Sequence, residues 1–241
     1  MAASLAVAPR FCGPPGSANG GYASGLIAAR LGGRAEVTLR RPPPLARPMA
    51  VECDGEGSVR VLDGDVLIAE GTRLAGDLAV ELPAPVTVRD ARAAGLGSRL
   101  RTYPGEHPFP TCFVCGPDRP PPDGLGIIPG RVDGRRLSAD TWYPDESLAR
   151  PDGELAPELI WAALDCAGAI GALGGAVPDG PPYVLGRFAA RQLGPVRAGE
   201  PHVVAGWRLA AEGRKLLAGS ALFTVTGKAV GVARATWIRL G

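Results

Sequence analysis

The sequence predicts an α+β protein built as two similar halves, each a curved antiparallel sheet wrapped around one helix. Three observations carry the prediction. One helix followed by four strand-like stretches occurs twice, tight hairpin signals join the strands, and the second helix has no polar face. The chain of 241 residues divides into an N-terminal half at 1–75, a connecting segment at 76–134 and a C-terminal half at 135–241.

In the first half Ser17 and Asn19 are placed to cap a helix over 20–31. Ala35, Val37 and Leu39 then alternate with Glu36, Thr38 and Arg40, the period of a half-buried strand. Met49, Val51 and Cys53 repeat the pattern against Glu52 and Asp54. Two further strands are expected over 58–62 and 66–72, joined through Asp63-Gly64, a strong hairpin signal. The connecting segment is rich in prolines and turn residues, including the run Pro120, Pro121, Pro122.

The last part repeats the order. Pro157 suits a first helical position and the helix runs to Leu173. Strands follow over 183–193, 202–210, 215–225 and 230–240, with turns at Glu212-Gly213 and Thr226-Gly227-Lys228. In each half the first long strand ends at a proline-containing bend, and the final strand carries a similar phrase: Ile68-Ala69-Glu70-Gly71-Thr72 and Val232-Ala233-Arg234-Ala235-Thr236. From Leu159 to Leu173 only Asp165 is neither apolar nor small. Such a helix must be covered on all sides, and a strongly curved sheet wrapped around it supplies the cover.

Composition narrows the partners. The 35 glycines and 25 prolines punctuate a chain that is 46% hydrophobic, so a folded protein is expected. A net charge of +2 with no basic run interleaved with aromatics excludes nucleic acid as the natural partner. The apolar stretch 162–177 is interrupted by Asp165 and rich in glycine, which argues against a membrane span. Residues 1–9 lack the leading charge of a secretory signal, and five cysteines is an odd number. A cytoplasmic protein with reduced thiols follows as the expectation.

Over most of both patterned parts the sequence resembles the hotdog-fold acyl-CoA thioesterase superfamily, as a fused double hotdog. Small thioesterases of the phenylacetate-degradation type begin with a Cys-x-x-Cys-Gly segment, then Gly-Leu and a strand. Cys112-Phe113-Val114-Cys115-Gly116 followed by Gly124-Leu125-Gly126-Ile127 is similar to that opening. Those families also carry a His-Gly-Gly or Asn-Gly-Gly turn at the start of the central helix and an acidic residue about two turns later. Here the two features are split. Asn19-Gly20-Gly21 opens the first helix, but Ala28 stands at its acidic position; Glu158-Leu159 replaces the glycines in the second, but Asp165 stands at the acidic one. In dimeric members the turn and the carboxylate come from different subunits. The resemblance therefore implies one composite site between the halves, in a chain that acts as a monomeric pseudo-dimer or as a homodimer.

That site would hydrolyse the thioester of acyl-CoA or an acyl carrier, with no cofactor and no metal. Gly20 and Gly21 would offer backbone N–H groups to the oxyanion at a helix N-terminus. Asn19 would bind the thioester or water, and Asp165 would act as general base or as nucleophile. Burial should raise the pKa of Asp165. Bland readings stand beside these: the Asn-Gly-Gly turn as a cap, Asp165 as a structural acceptor, Cys112 and Cys115 as a tight turn. Zinc would need four ligands, and only His107 lies near the two cysteines in sequence. Cys166 is read as lying on a different helical face from Asp165. Arg187 and Arg191 share one strand face and suit either CoA phosphates or solvent. Two histidines and no Gly-x-Ser-x-Gly leave a serine triad unsupported. The alternatives are a non-catalytic double hotdog that binds acyl-CoA or lipid or serves as a scaffold, and a hydratase or dehydratase. The last needs a histidine after Asp165 that is absent.

Overall fold

Alternation of apolar and polar residues organises the chain around one continuous sheet. The computed structural model describes residues 3–119, 122–176 and 180–241; Pro120 and Pro121 of the proline run and Val177 of the apolar stretch lie outside them. The elements in order are β1 (Ala3–Leu5), α1 (Gly20–Ala29), β2 (Ala35–Leu39), β3 (Met49–Cys53), β4 (Ser58–Asp63) and β5 (Val66–Arg73). Next come α2 (Val88–Leu96), α3 (Arg99–Thr102), β6 (Gly130–Arg131) and β7 (Ser138–Trp142). The chain finishes with α4 (Pro157–Ala172), β8 (Tyr183–Gln192), β9 (His202–Glu212), β10 (Lys215–Thr224) and β11 (Ala229–Arg239).

Among the described residues eleven strands pair antiparallel, in the order β1-β3-β4-β5-β2-β8-β11-β10-β9-β7-β6. The centre of the sheet is the pairing of β2 with β8, from Ala35 opposite Ala190 to Thr38 opposite Arg187. On either side of that seam the neighbours run β5-β4-β3 and β11-β10-β9, the same sequence of hairpins turned end for end. The expected strands match β2 to β5 and β8 to β11 to within about two residues, the usual uncertainty of element ends.

Helices α1 and α4 pack against each other, and α4 lies on β8, β9, β10 and β11. Ile160, Trp161 and Leu164 of α4 are fully buried with Phe188 of β8 and Leu222 of β10, the cover that a helix without a polar face requires. Contact with β9 is backbone to backbone. An added Cβ at Gly206 would lie 1.8 Å from the Ala167 carbonyl oxygen, and one at Gly171 would lie 2.1 Å from the Gly206 carbonyl.

Strand β9 is covered on both faces. Val204 belongs to the core around α4, whereas Val203, Ala205 and Trp207 join a second apolar cluster with Ala91 of α2. Helices α2 and α3 of the connecting segment and the short strands β1, β6 and β7 were not expected from the sequence. The signal for α2 is short: Thr87 caps it by accepting from the Asp90 N–H at 3.1 Å, and Ala91 and Gly95 make its buried stripe.

Asp140 of β7 ties this outer layer together. It is 4% exposed, and its carboxylate accepts from the Ile128 N–H at 2.8 Å, the Thr141 N–H at 2.8 Å and Arg101 at 2.9 Å. Burial pushes its pKa up to about 6 against the pull of those donors. Asp140→Ala removes the acceptor for three donors at once and should cost about 2–4 kcal/mol, read as a lower midpoint in denaturant unfolding.

Candidate functional site

The N-terminus of α1 meets the middle of α4. Asn19 is the N-cap of α1: its Oδ1 accepts from the Tyr22 N–H at 2.8 Å, which fixes the amide and turns Nδ2 toward α4. Nδ2 donates to Asp165 Oδ2 at 2.9 Å, and the Gly21 N–H donates to the same oxygen at 2.8 Å. The helices come this close because position 21 has no side chain. A Cβ there would stand 2.5 Å from the Asp165 Cβ and 2.8 Å from the Trp161 carbonyl oxygen.

Asp165 is 2% exposed and its second oxygen, Oδ1, has no partner among the described residues. Burial raises its pKa to about 7 despite the Gly21 and Asn19 donors, with the nearby Cys112 adding to the rise. A carboxylate with one oxygen clamped and the other unpaired is positioned as an acceptor. It can take a proton or attack a carbonyl carbon from Oδ1.

A cavity of about 430 Å³ lies alongside, with Asn19, Gly20, Asp165, Tyr183, Leu185 and Trp237 among its lining residues. Its wall is mostly apolar, as an acyl-binding cavity requires. Gly20 lines it but Gly21 does not, because the Gly21 amide is held by Asp165. As the first residue of α1, Gly20 has an N–H with no intrahelical acceptor. Stacking of Phe11 on Tyr22 at 3.9 Å between ring centroids, with Phe113 edge-on to Phe11 at 5.0 Å, braces the start of α1 against the Cys112 segment.

Sequence analysis missed a convergence of thiols. Cys112, Cys115 and Cys166 all line this cavity and are all buried. Cys166, adjacent to Asp165 and expected on another helical face, lines the same cavity. Neither Arg187 nor Arg191 lines it. Arg187 bonds Thr38 Oγ1 at 3.2 Å and pairs with Glu36, and Arg191 pairs with Asp77, so surface ion pairs account for both. Neither histidine lines it: His107 Nδ1 accepts from the Phe109 N–H and His202 packs beside Trp142. At the mouth, Arg40 is paired with Glu70, whereas exposed Arg41 lines the cavity with no ion pair among the described residues.

No protein-family model matches the sequence, and no curated protein matches it. Solved structures do. The tesB protein of Mycobacterium avium subsp. paratuberculosis is 14% identical over 99% of this chain and 92% of its own, with a TM-score of 0.61. A provisionally assigned thioesterase II of Thermobifida fusca is 13% identical over 99% and 92%, with a TM-score of 0.58. A provisionally assigned thioesterase of Novosphingobium aromaticivorans is 15% identical over 99% and 95%, with a TM-score of 0.56. At these identities the likeness establishes a shared fold across the whole chain.

Proposed function

We propose that this chain hydrolyses acyl-CoA thioesters at one composite site between two hotdog halves. The observation that carries the reading is the Asp165 carboxylate, clamped by the Asn19 amide and the Gly21 N–H while its other oxygen is unpaired beside an apolar cavity. Support for two halves comes from the hairpins repeated on each side of the β2–β8 seam. Support for one site comes from Ala28, which has no ionisable group at the position that corresponds to Asp165. The fold shared with the three structures named above fits the same reading.

In the mechanism the acyl chain fills the cavity and the thioester carbonyl lies over Gly20. The Gly20 N–H, at the positive end of α1, stabilises the developing oxyanion, while the Gly21 N–H holds the carboxylate. Asp165 Oδ1 takes a proton from water as the water attacks, or attacks the carbonyl itself to give an anhydride that water then opens. Both routes release CoA thiol and the free acid. Single turnover in ¹⁸O-labelled water that leaves label in the Asp165 carboxylate identifies the second route, since that label enters only when water opens the anhydride at the Asp165 carbonyl carbon.

The test is release of free thiol from a panel of acyl-CoAs, compared between the wild type and Asp165→Asn. A second reading, acyl-CoA binding without turnover, is favoured by one observation: Oδ1 is buried with no hydrogen-bond partner among the described residues, as a structural carboxylate can be. Binding of acyl-CoA with no thiol release from any panel member would select that reading. Hydration chemistry falls behind both, because no histidine lines the cavity.

Exposed Arg41, a lining residue with no ion pair among the described residues, is the cation we assign to the CoA phosphates. Arg41→Glu is expected to raise KM for acyl-CoA about fivefold, with kcat near wild type and the effect shrinking as salt is added. An acyl-N-acetylcysteamine substrate, which lacks the phosphates, should show no change in KM. An equal rise on both substrates would remove Arg41 from that role.

A further inference from the structure

Three of the five cysteines meet at one point. The sulfurs of Cys112, Cys115 and Cys166 all lie within 4.8 Å of one another, and all three residues are buried. The Cys112 and Cys166 sulfurs are 3.8 Å apart. A tetrahedral zinc ion with Zn–S bonds of about 2.3 Å sets its sulfurs roughly 3.8 Å apart, so this pair already has the spacing of two ligands to one ion. A disulfide would require the same pair to close to about 2.05 Å.

The local backbone is built for the same end. Cys112 and Cys115 sit on a turn closed by the Gly116 N–H donating to the Cys112 carbonyl at 2.8 Å. A Cβ at position 116 would lie 2.4 Å from the Pro110 carbonyl oxygen and 2.5 Å from the Cys112 backbone, so only glycine completes this turn. Thiolate is the form that ligates. Asn19 Nδ2 lies 4.0 Å from the Cys112 sulfur and 3.9 Å from that of Cys166, where an amide N–H supports thiolate ligands from outside the first ring of donors. Packing of three small apolar residues would explain their burial. It would not explain an amide nitrogen within 4.0 Å of two of the sulfurs.

We propose that Cys112, Cys115 and Cys166 bind one zinc ion as thiolates, tying the connecting segment to the middle of α4. Three thiolates select a soft or borderline d¹⁰ cation over magnesium or calcium. Each ligating thiol releases its proton to solvent. Three protein ligands leave one tetrahedral position for a donor from the cavity that all three cysteines line. The proposal stands whether or not the cavity hydrolyses a thioester, because metal content is read without an activity assay.

The experiment uses the full chain, purified under a non-chelating phosphine reductant, stripped of metal and titrated with Co²⁺. Expected are thiolate-to-cobalt charge-transfer bands with the intense visible bands of a four-coordinate ion, saturating at one equivalent and displaced by one equivalent of Zn²⁺. Cys115→Ser and Cys166→Ser should lose the charge-transfer bands, whereas Cys53→Ser, at an exposed cysteine, should keep full loading. The wild-type titration does not depend on any variant folding. Wild-type protein that shows no charge transfer while all five thiols titrate as free in denaturant would overturn the proposal. A peptide cross-linked through Cys112 and Cys166 under the same reducing conditions would overturn it too.

Discussion

Asp165→Asn is expected to lower kcat for acyl-CoA hydrolysis by about 10²- to 10⁴-fold, the range for removing a positioned general base. The substitution is close to isosteric. The amide oxygen can accept from Asn19 Nδ2 and the Gly21 N–H as Oδ2 does now, at 2.9 and 2.8 Å. Only the unpaired oxygen changes, from an acceptor to an amide donor that can neither take a proton nor attack a carbonyl. Circular dichroism and a cooperative thermal transition should therefore stay near wild type while thiol release falls to background. Acyl-CoA binding by calorimetry should survive. If the Asn variant turns over as fast as wild type, Asp165 is a structural acceptor and its catalytic role fails.

Gly206→Ala should be severely destabilising. The added carbon would sit 1.8 Å from the Ala167 carbonyl oxygen, where even a weak C–H···O contact needs about 3.3 Å. Both partners are main chain, so no rotamer relieves the clash and α4 must lift off β9. The expected loss is about 3 kcal/mol or more, above the usual range for overpacking because backbone must move. Since α4 also carries Asp165, any folded fraction should hydrolyse poorly. A matched control is Gly76→Ala, where the new methyl meets nothing within 4 Å; it should leave stability within about 0.5 kcal/mol of wild type. Equal midpoints for the two variants in urea would show that α4 and β9 are not seated as described.

Strands β2 to β5 and β8 to β11 were legible because alternation and turn glycines are local signals, readable a few residues at a time. Helix α4 was legible for a different reason: a run with no polar face admits few environments. The losses have a common cause. Strands β1 and β6 are three and two residues long, too short to show a period, and α2 hides in a proline-rich context behind a single Thr87 cap. At the site, Asn19, Gly20, Gly21 and Asp165 could be named because the Asn-Gly-Gly turn and the acidic position resemble those of a known family. That the Gly21 amide is held by the carboxylate is a fact about distance between elements 144 residues apart. The meeting of Cys112 with Cys166, 54 residues apart, is of the same kind. Periodicity carries no information about either.

The outer margins of the sheet are its two shortest strands, β1 with Ala3–Leu5 and β6 with Gly130–Arg131. A margin of two or three residues offers few unpaired N–H and C=O groups, so another chain can dock only one or two ladder bonds there. Long strands such as β9 and β11 lie inside, where both neighbours already claim them. The architecture thus sets its longest strands behind stubs that leave little edge for a further strand to join.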